Sequence, residues 1–454
     1  MEAPYLEDAF APIRAEHVTS LEVIEGAVPR DLLGAYVRNG PDPRFDPQGR
    51  HHWFDGDGML HAVRFEDGRA TYSNRWVRTS DFAAETDMGR GLWRGVLESA
   101  RDNPGSRYKD TANTDVLAYR GALLAFHYMG GAAWRLDPHT LETLGALEVP
   151  GRLSAHAKVD PQTGELLYFD YGVKAPFLTF GALAIDGTHR RFDAPVGEPV
   201  YPHDMAFTRR FAILMEPPVT LSAKHAERGR WGVVEHTDRP FRFHLIARAD
   251  GTTHAFEASA CYLYHAVDAW EDGDDVVLVG FRSPRLFPDP DPAEGANAVM
   301  MANLRLRASL HRWRFDLASG TCHEDALDDR NAEFPVIDAR AMGQGATHAY
   351  AMSIPTDTRR VRFDGVIKYA LKTGRAVAER RFGTQRYGSE VAFAPRAGST
   401  SDDDGYLTSF VVDETENRSE VVVWDAASLD PVCRLRVPTR VPHGFHACWH
   451  AEDA

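Results

Sequence analysis

Cysteine is scarce in this chain. Among 454 residues there are four (Cys261, Cys322, Cys433 and Cys448), far apart and with no C-x-x-C pair. That spacing argues against a disulfide scaffold and against a thiolate zinc site, and fits reduced, buried thiols. Charge of one sign is nowhere concentrated: the net charge is −15, with acidic and basic residues interspersed. The clustered Lys and Arg of a nucleic-acid footprint are therefore missing, and no nucleic-acid partner is expected. No window offers 18 uncharged apolar residues, and the start, Met1-Glu2-Ala3-Pro4-Tyr5-Leu6-Glu7-Asp8, has neither a basic nor an apolar leader region. The expectation is a soluble, cytoplasmic protein. Walker, Rossmann and flavin fingerprints are also absent, so no organic cofactor is expected.

Helical periodicity is equally sparse, and short β-rich runs take its place. Leu166-Leu167-Tyr168-Phe169, Val276-Val277-Leu278-Val279-Gly280 and Glu420-Val421-Val422-Val423-Trp424 are each bounded by Gly, Asp or Pro. Between such runs recur tight polar turns, among them Leu136-Asp137-Pro138-His139-Thr140, Phe315-Asp316-Leu317-Ala318-Ser319-Gly320 and Leu371-Lys372-Thr373-Gly374. In these, Asp closes an Asx-type turn and Gly supplies positive φ. Length alone allows two or three domains, or one large closed all-β fold. Turn spacing, often fifty to seventy residues, is what propeller blades with long inner loops produce; a pair of β-sandwiches is the alternative. Helix is expected only in insertions, for example Asp81 through Ala100. No linker divides residues 1–454, and Pro288-Asp289-Pro290-Asp291-Pro292 reads as a loop tip.

Histidine, at 20 copies, is the available metal ligand. Four histidines share a context beside an apolar or small-residue strand: His156, His203, His265 and His446, which lie 47, 62 and 181 positions apart in turn. Two gaps are about one blade long and the third about three. Innermost propeller strands all pass the axis, so one histidine from each of several blades can converge there. Singly, each is more often a hydrogen-bonded core residue than a ligand. As a set they suit a metal. Asp55-Gly56-Asp57-Gly58 resembles a calcium loop but lacks the twelfth-position Glu, and reads as a structural turn.

The chain resembles the carotenoid cleavage oxygenase family. The resemblance rests on Tyr36-Val37-Arg38-Asn39-Gly40-Pro41, Trp53-Phe54-Asp55-Gly56-Asp57-Gly58-Met59, Asn74-Arg75-Trp76-Val77-Arg78-Thr79, Thr111-Ala112-Asn113-Thr114, the four histidine segments, Glu333-Phe334-Pro335 and Asp402-Asp403-Asp404-Gly405-Tyr406, in this order. It implies an all-β, seven-bladed β-propeller with a helical dome, and Fe(II) held on the axis by His156, His203, His265 and His446. His443 and His450 fall off the motif and are given loop or surface roles. Imidazole suits ferrous iron, and each ligand's outer N–H needs an acceptor. The family uses three glutamates for this. Glu333 and Glu390 match two of them; Met129 stands at the third, which leaves one ligand, His203, in need of another partner. Thr114 is expected at the open metal position by the same resemblance, or as a plain strand threonine. A phenol-gripping Lys and Tyr of stilbene-cleaving relatives have no match, the lysine position being Tyr128.

The implied activity is cleavage of a conjugated C=C bond of an apolar, carotenoid- or apocarotenoid-like substrate by dioxygen to two carbonyl products. A phenylpropenoid or stilbene alkene is the alternative substrate. The rival functions are a metal-dependent hydrolase or isomerase on the same propeller, and a non-catalytic apolar-ligand binder. Peripheral membrane contact at an apolar entrance is a further option the resemblance raises, although no basic amphipathic helix is present to carry it.

Overall fold

In the computed structural model, residues 3–452 are described, and their β-rich runs pair into antiparallel sheets. Seven of these have four to six strands and form the blades of a propeller; an eighth has two strands, Val219–Leu221 and Val233–Glu235. The innermost strands, blade by blade, are Ala447–Ala451, Asp115–Tyr119, Lys158–Val159, Met205–Phe207, Tyr262–Asp272, Ala332–Val336 and Ala392–Pro395.

Burial is greatest in mid-blade. Strands in mid-blade, such as Ala122–Phe126 and Leu178–Leu183, are buried throughout, whereas the outer strand Arg375–Arg381 alternates exposed and half-buried residues. Period-two alternation is what a strand with one covered face requires. The polar turns behave as expected: Asp316 accepts from the N–H groups of Ala318 and Ser319 at 2.8 and 2.9 Å, and Gly320 sits at φ 72°. Between blades the cores interlock through aromatics, as where Phe315 meets Phe243 and Phe256 at centroid distances of 5.0 and 5.1 Å.

The ring is closed twice. The C-terminal strand Ala447–Ala451 pairs with Gly34–Pro41 as the inner strand of the first blade. The N-terminal strand Glu22–Gly26 pairs with Pro431–Arg436 as the outer strand of the last. Each end of the chain thus completes a sheet built mainly by the other, and a propeller with no open inner edge results. Buried Arg38 adds a lock, donating to the Pro442 carbonyl at 2.6 Å.

The helix expected from Asp81 to Ala100 is shorter. It runs Ser80–Met88, capped by the Thr79 hydroxyl, which accepts from the Phe82 N–H, and stopped by Gly89 in the left-handed region at φ 65°. Gly91 and Gly95 follow, so the apolar residues beyond Gly89 pack as loop. All four cysteines are free, two buried and two half-buried. No helix among the described residues is long and apolar enough to cross a membrane.

Candidate metal centre

Each inner strand brings one polar group to the axis. His156 and His203 each precede their strand by two residues, His446 precedes its strand by one, and His265 lies within its own at a register shift between Leu263 and Ala266. These four come from the third, fourth, first and fifth blades. Asp115, Glu333 and Glu390 come from the second, sixth and seventh.

The imidazole rings gather closely. His156 lies 4.8 Å from His203, 4.8 Å from His265 and 4.7 Å from His446 between centroids; His265 lies 5.0 Å from His203 and 4.7 Å from His446. One ring nitrogen from each of His156, His265 and His446 falls within 4.8 Å of the others.

The outer nitrogens are largely taken. His265 Nδ1 pairs with Glu333 Oε2, whose other oxygen accepts the His265 backbone N–H at 3.2 Å. His446 Nδ1 lies 3.2 Å from Glu390 Oε1. Asp115 Oδ2 accepts the His156 backbone N–H at 2.9 Å and stands 3.8 Å from its Nδ1. This contact helps hold His156 at φ 68°, a left-handed conformation unfavourable for a residue with a Cβ. Asp115 was missed in the sequence, although its place directly after Asn113-Thr114 at a strand start was visible. Among the described residues nothing hydrogen-bonds either ring nitrogen of His203.

Burial sets the protonation. It holds His156, His203 and His265 well below the ordinary imidazole value, with the neighbouring histidines adding to the effect. For His446 burial acts in the same direction, but the Glu390 carboxylate outweighs it and the net shift is upward. Burial also pushes the Glu333 carboxyl up to about 8 and raises Glu390. The inner nitrogens His156 Nε2 and His265 Nε2 are buried without any hydrogen-bond partner. Buried polar atoms left unpaired are costly, and two neutral imidazole lone pairs turned toward one small space fit a metal ion well.

Over this group lies a cavity lined by His203, His265 and His446 on the floor side and by Trp53, Phe54, Trp231, Leu304 and other apolar residues elsewhere. Thr114 and Tyr128 also line it. The Thr114 hydroxyl donates to Asn113 Oδ1 at 3.0 Å and accepts the Tyr128 N–H at 3.1 Å, so its proton is committed. Met129 is half-buried and packs against the apolar cluster between the second and third blades. Of the histidines off the motif, His443 lies in a loop as expected, buried there 4.8 Å from the Phe10 ring, whereas His450 lies half-buried in the closing strand. Asp55 and Asp57 tie the dome, Asp55 accepting from the His52 and Val96 N–H groups and Asp57 pairing with Lys109.

A family profile described as retinal pigment epithelial membrane protein matches residues 10–451. The chain belongs to the carotenoid cleavage oxygenase family. It is 32% identical over 492 residues to carotenoid 9,10(9',10')-cleavage dioxygenase 1 of Arabidopsis thaliana, covering 99% of this chain and 90% of the relative. It is 31% identical over 483 residues to isoeugenol monooxygenase of Pseudomonas putida, covering 99% and 98%. Among solved structures, Pseudomonas brassicacearum lignostilbene dioxygenase superposes with a TM-score of 0.86 at 28% identity, covering 99% of both chains. The family's propeller and the all-β architecture described above agree.

Proposed function

We propose that this carotenoid cleavage oxygenase family member uses dioxygen to split a conjugated C=C bond of an apolar substrate into two carbonyl products. The observation that carries the reading is the convergence of four histidines, two with buried unpaired Nε2 atoms, beneath an apolar, aromatic-lined cavity. His156, His203, His265 and His446 would hold ferrous iron. When bound, that ion supplies the binding and activation of dioxygen, the alkene supplying the electrons.

What the chain's own residues do follows from their contacts. Glu333 and Glu390 accept the outer Nδ1 protons of His265 and His446, fixing the tautomer that leaves Nε2 as the inner donor atom. The four imidazoles bring no anionic ligand to the ion, and Glu333 and Glu390 stand one hydrogen bond further out. Phe54, Phe334, Phe363 and Phe445 wall the space and exclude water, so an extended conjugated molecule is held by shape and apolar contact with one double bond over the histidines. Carotenoid- or apocarotenoid-like polyenes suit this wall, and the named activities of the relatives, which act on carotenoids and on isoeugenol, support alkene cleavage.

Both ends of the chain sealing the same ring support residues 1–454 as one domain, its terminal residues 1–2 and 453–454 lying outside the described part. Four free cysteines fit a reducing compartment, and we place the protein in the cytoplasm. The test is to offer the iron-loaded protein an apocarotenal, a hydroxystilbene and a vinylphenol under ¹⁸O₂ and weigh the carbonyl products. Labelled products from at least one are expected; turnover without O₂, or label-free products from all, would leave a hydrolase or isomerase instead.

A further inference from the structure

Three of the four histidines have a carboxylate beside the ring, and among the described residues His203 has none. The residue that follows it accounts for how it is held. Asp204 is fully buried in its side chain, and both oxygens are taken. Oδ1 accepts the Met205 N–H at 2.7 Å and faces Lys158 Nζ at 2.9 Å, while Oδ2 accepts the Ala266 N–H at 2.9 Å. These partners belong to the inner strands of the fourth, third and fifth blades in turn. Lys158 lies two residues past His156, and Ala266 one past His265. One carboxylate therefore ties together the strands that carry three of the four histidines.

The backbone around His203 is stiff on both sides. Pro202 fixes its own φ before it, and the Asp204 side chain, turned onto the Met205 N–H, fixes the residue after it. Ala266 sits where the pairing of its strand shifts register on both sides, and its N–H reaches across to Asp204. Other ligands are held by the backbone in the same manner: Glu390 accepts the Ala447 N–H, one past His446, and Asp115 accepts the His156 N–H. Neither Asp204 nor Lys158 lines the apolar cavity; both line a separate one among the inner strands. We propose that Asp204, braced by Lys158, is the positioning residue for His203. It sets through the backbone where the imidazole starts, in place of the ring contact that Glu333 and Glu390 give their histidines. The inference rests on the four-histidine centre of the proposed function and takes no part in the choice of substrate.

Cobalt(II) serves as the probe metal, because its visible absorption bands report the number and arrangement of ligands without turnover. Asp204→Asn keeps the shape of the side chain, loses its charge and turns an amide N–H toward groups that are themselves donors. It should bind cobalt about tenfold more weakly in a chelator titration, and at full occupancy its bands should differ from those of the wild type. Affinity alone would not separate placement from charge, since the substitution also removes an attraction for the ion; the bands do. Arg248→Met is the control. Buried Arg248 pairs with Asp160 Oδ2 at 2.6 Å and Glu165 Oε2 at 2.7 Å, joining the same third and fourth blades just past the far ends of their inner strands. Its loss should lower the unfolding midpoint and leave cobalt affinity and bands unchanged. Should Asp204→Asn not fold, Lys158→Met and Lys158→Arg carry the test: changed bands in the first with wild-type bands in the second support the proposal. Wild-type bands in folded Asp204→Asn or in Lys158→Met, or bands shifted as far in Arg248→Met as in Asp204→Asn, overturn it and leave the centre standing. A wild type that takes up no cobalt removes the four-histidine centre itself, and this inference with it.

Discussion

Glu333 grips His265 twice, pairing with its Nδ1 and accepting its backbone N–H at 3.2 Å, across the step from the sixth blade to the fifth. A carboxylate beside the histidine of a neighbouring blade recurs around the axis. Glu390 of the seventh blade serves His446 of the first, and Asp115 of the second serves His156 of the third. Seven inner strands bring four histidines and three carboxylates, and each carboxylate pairs with the histidine next door. Seven being odd, one histidine is left over. It is His203, in the fourth blade.

Loss of an outer partner of a metal ligand commonly costs 10- to 100-fold in affinity or activity. Glu333→Gln should therefore weaken iron binding by about that order, and Glu390→Gln likewise. Asp115→Asn should cost less, since Asp115 Oδ2 stands 3.8 Å from His156 Nδ1 and chiefly holds the backbone. Competitive chelator titration of the three variants gives the order directly.

Met129→Glu is expected to leave iron affinity unchanged. The half-buried side chain packs against the apolar cluster between the second and third blades, whereas Tyr128 is the residue on the cavity wall. The cost should fall on stability, read as a lowered unfolding midpoint, because a charge set half-buried against an apolar cluster loses part of its solvation. Tighter iron binding in this variant would show that position 129 reaches a ligand.

His443→Ala should keep its metal and lose stability. The ring is buried against Phe10 and its Nε2 lies 3.4 Å from Glu414 Oε1. Truncating a buried side chain of this size costs about 1–3 kcal/mol. Urea unfolding and metal analysis on the same sample separate the two effects.

How far the sequence carried can be judged from these residues. Strand composition and Asx turns spell out a propeller, because each hairpin is a local event. The histidine spacing exposes the axis, because its gaps match one blade, one blade and three blades in turn. The chain does not spell out which carboxylate faces which histidine. Asp115 and His156 are 41 positions apart and meet only because neighbouring inner strands converge. The backbone bonds of Tyr262 and Tyr264, to the carbonyls of Tyr201 and Leu286, are equally invisible in sequence. The end of the first helix at Met88 was legible in Gly89, but the apolar residues beyond it masked the signal.

Acid should loosen the His443 region. Burial raises the Glu414 carboxyl, but hydrogen bonds from His443 and Arg362 prevail and bring it from the usual 4.5 to about 2. The folded state then binds fewer protons than the unfolded one between those values. Its contribution to stability is whole above about pH 4.5 and is lost as pH falls toward 2. Unfolding midpoints measured over this range should drop less steeply in Glu414→Gln than in the wild type.

The proposed centre is one ion held by four histidines, including the one whose ring no carboxylate supports. Elemental analysis of the iron-loaded protein and its four single histidine-to-alanine variants, each checked for an unchanged far-ultraviolet spectrum, tests this most directly. One iron per chain is predicted for the wild type, with loss in His156→Ala, His203→Ala, His265→Ala and His446→Ala alike. A folded His203→Ala protein that keeps a full equivalent, or a wild type that binds none, would contradict it.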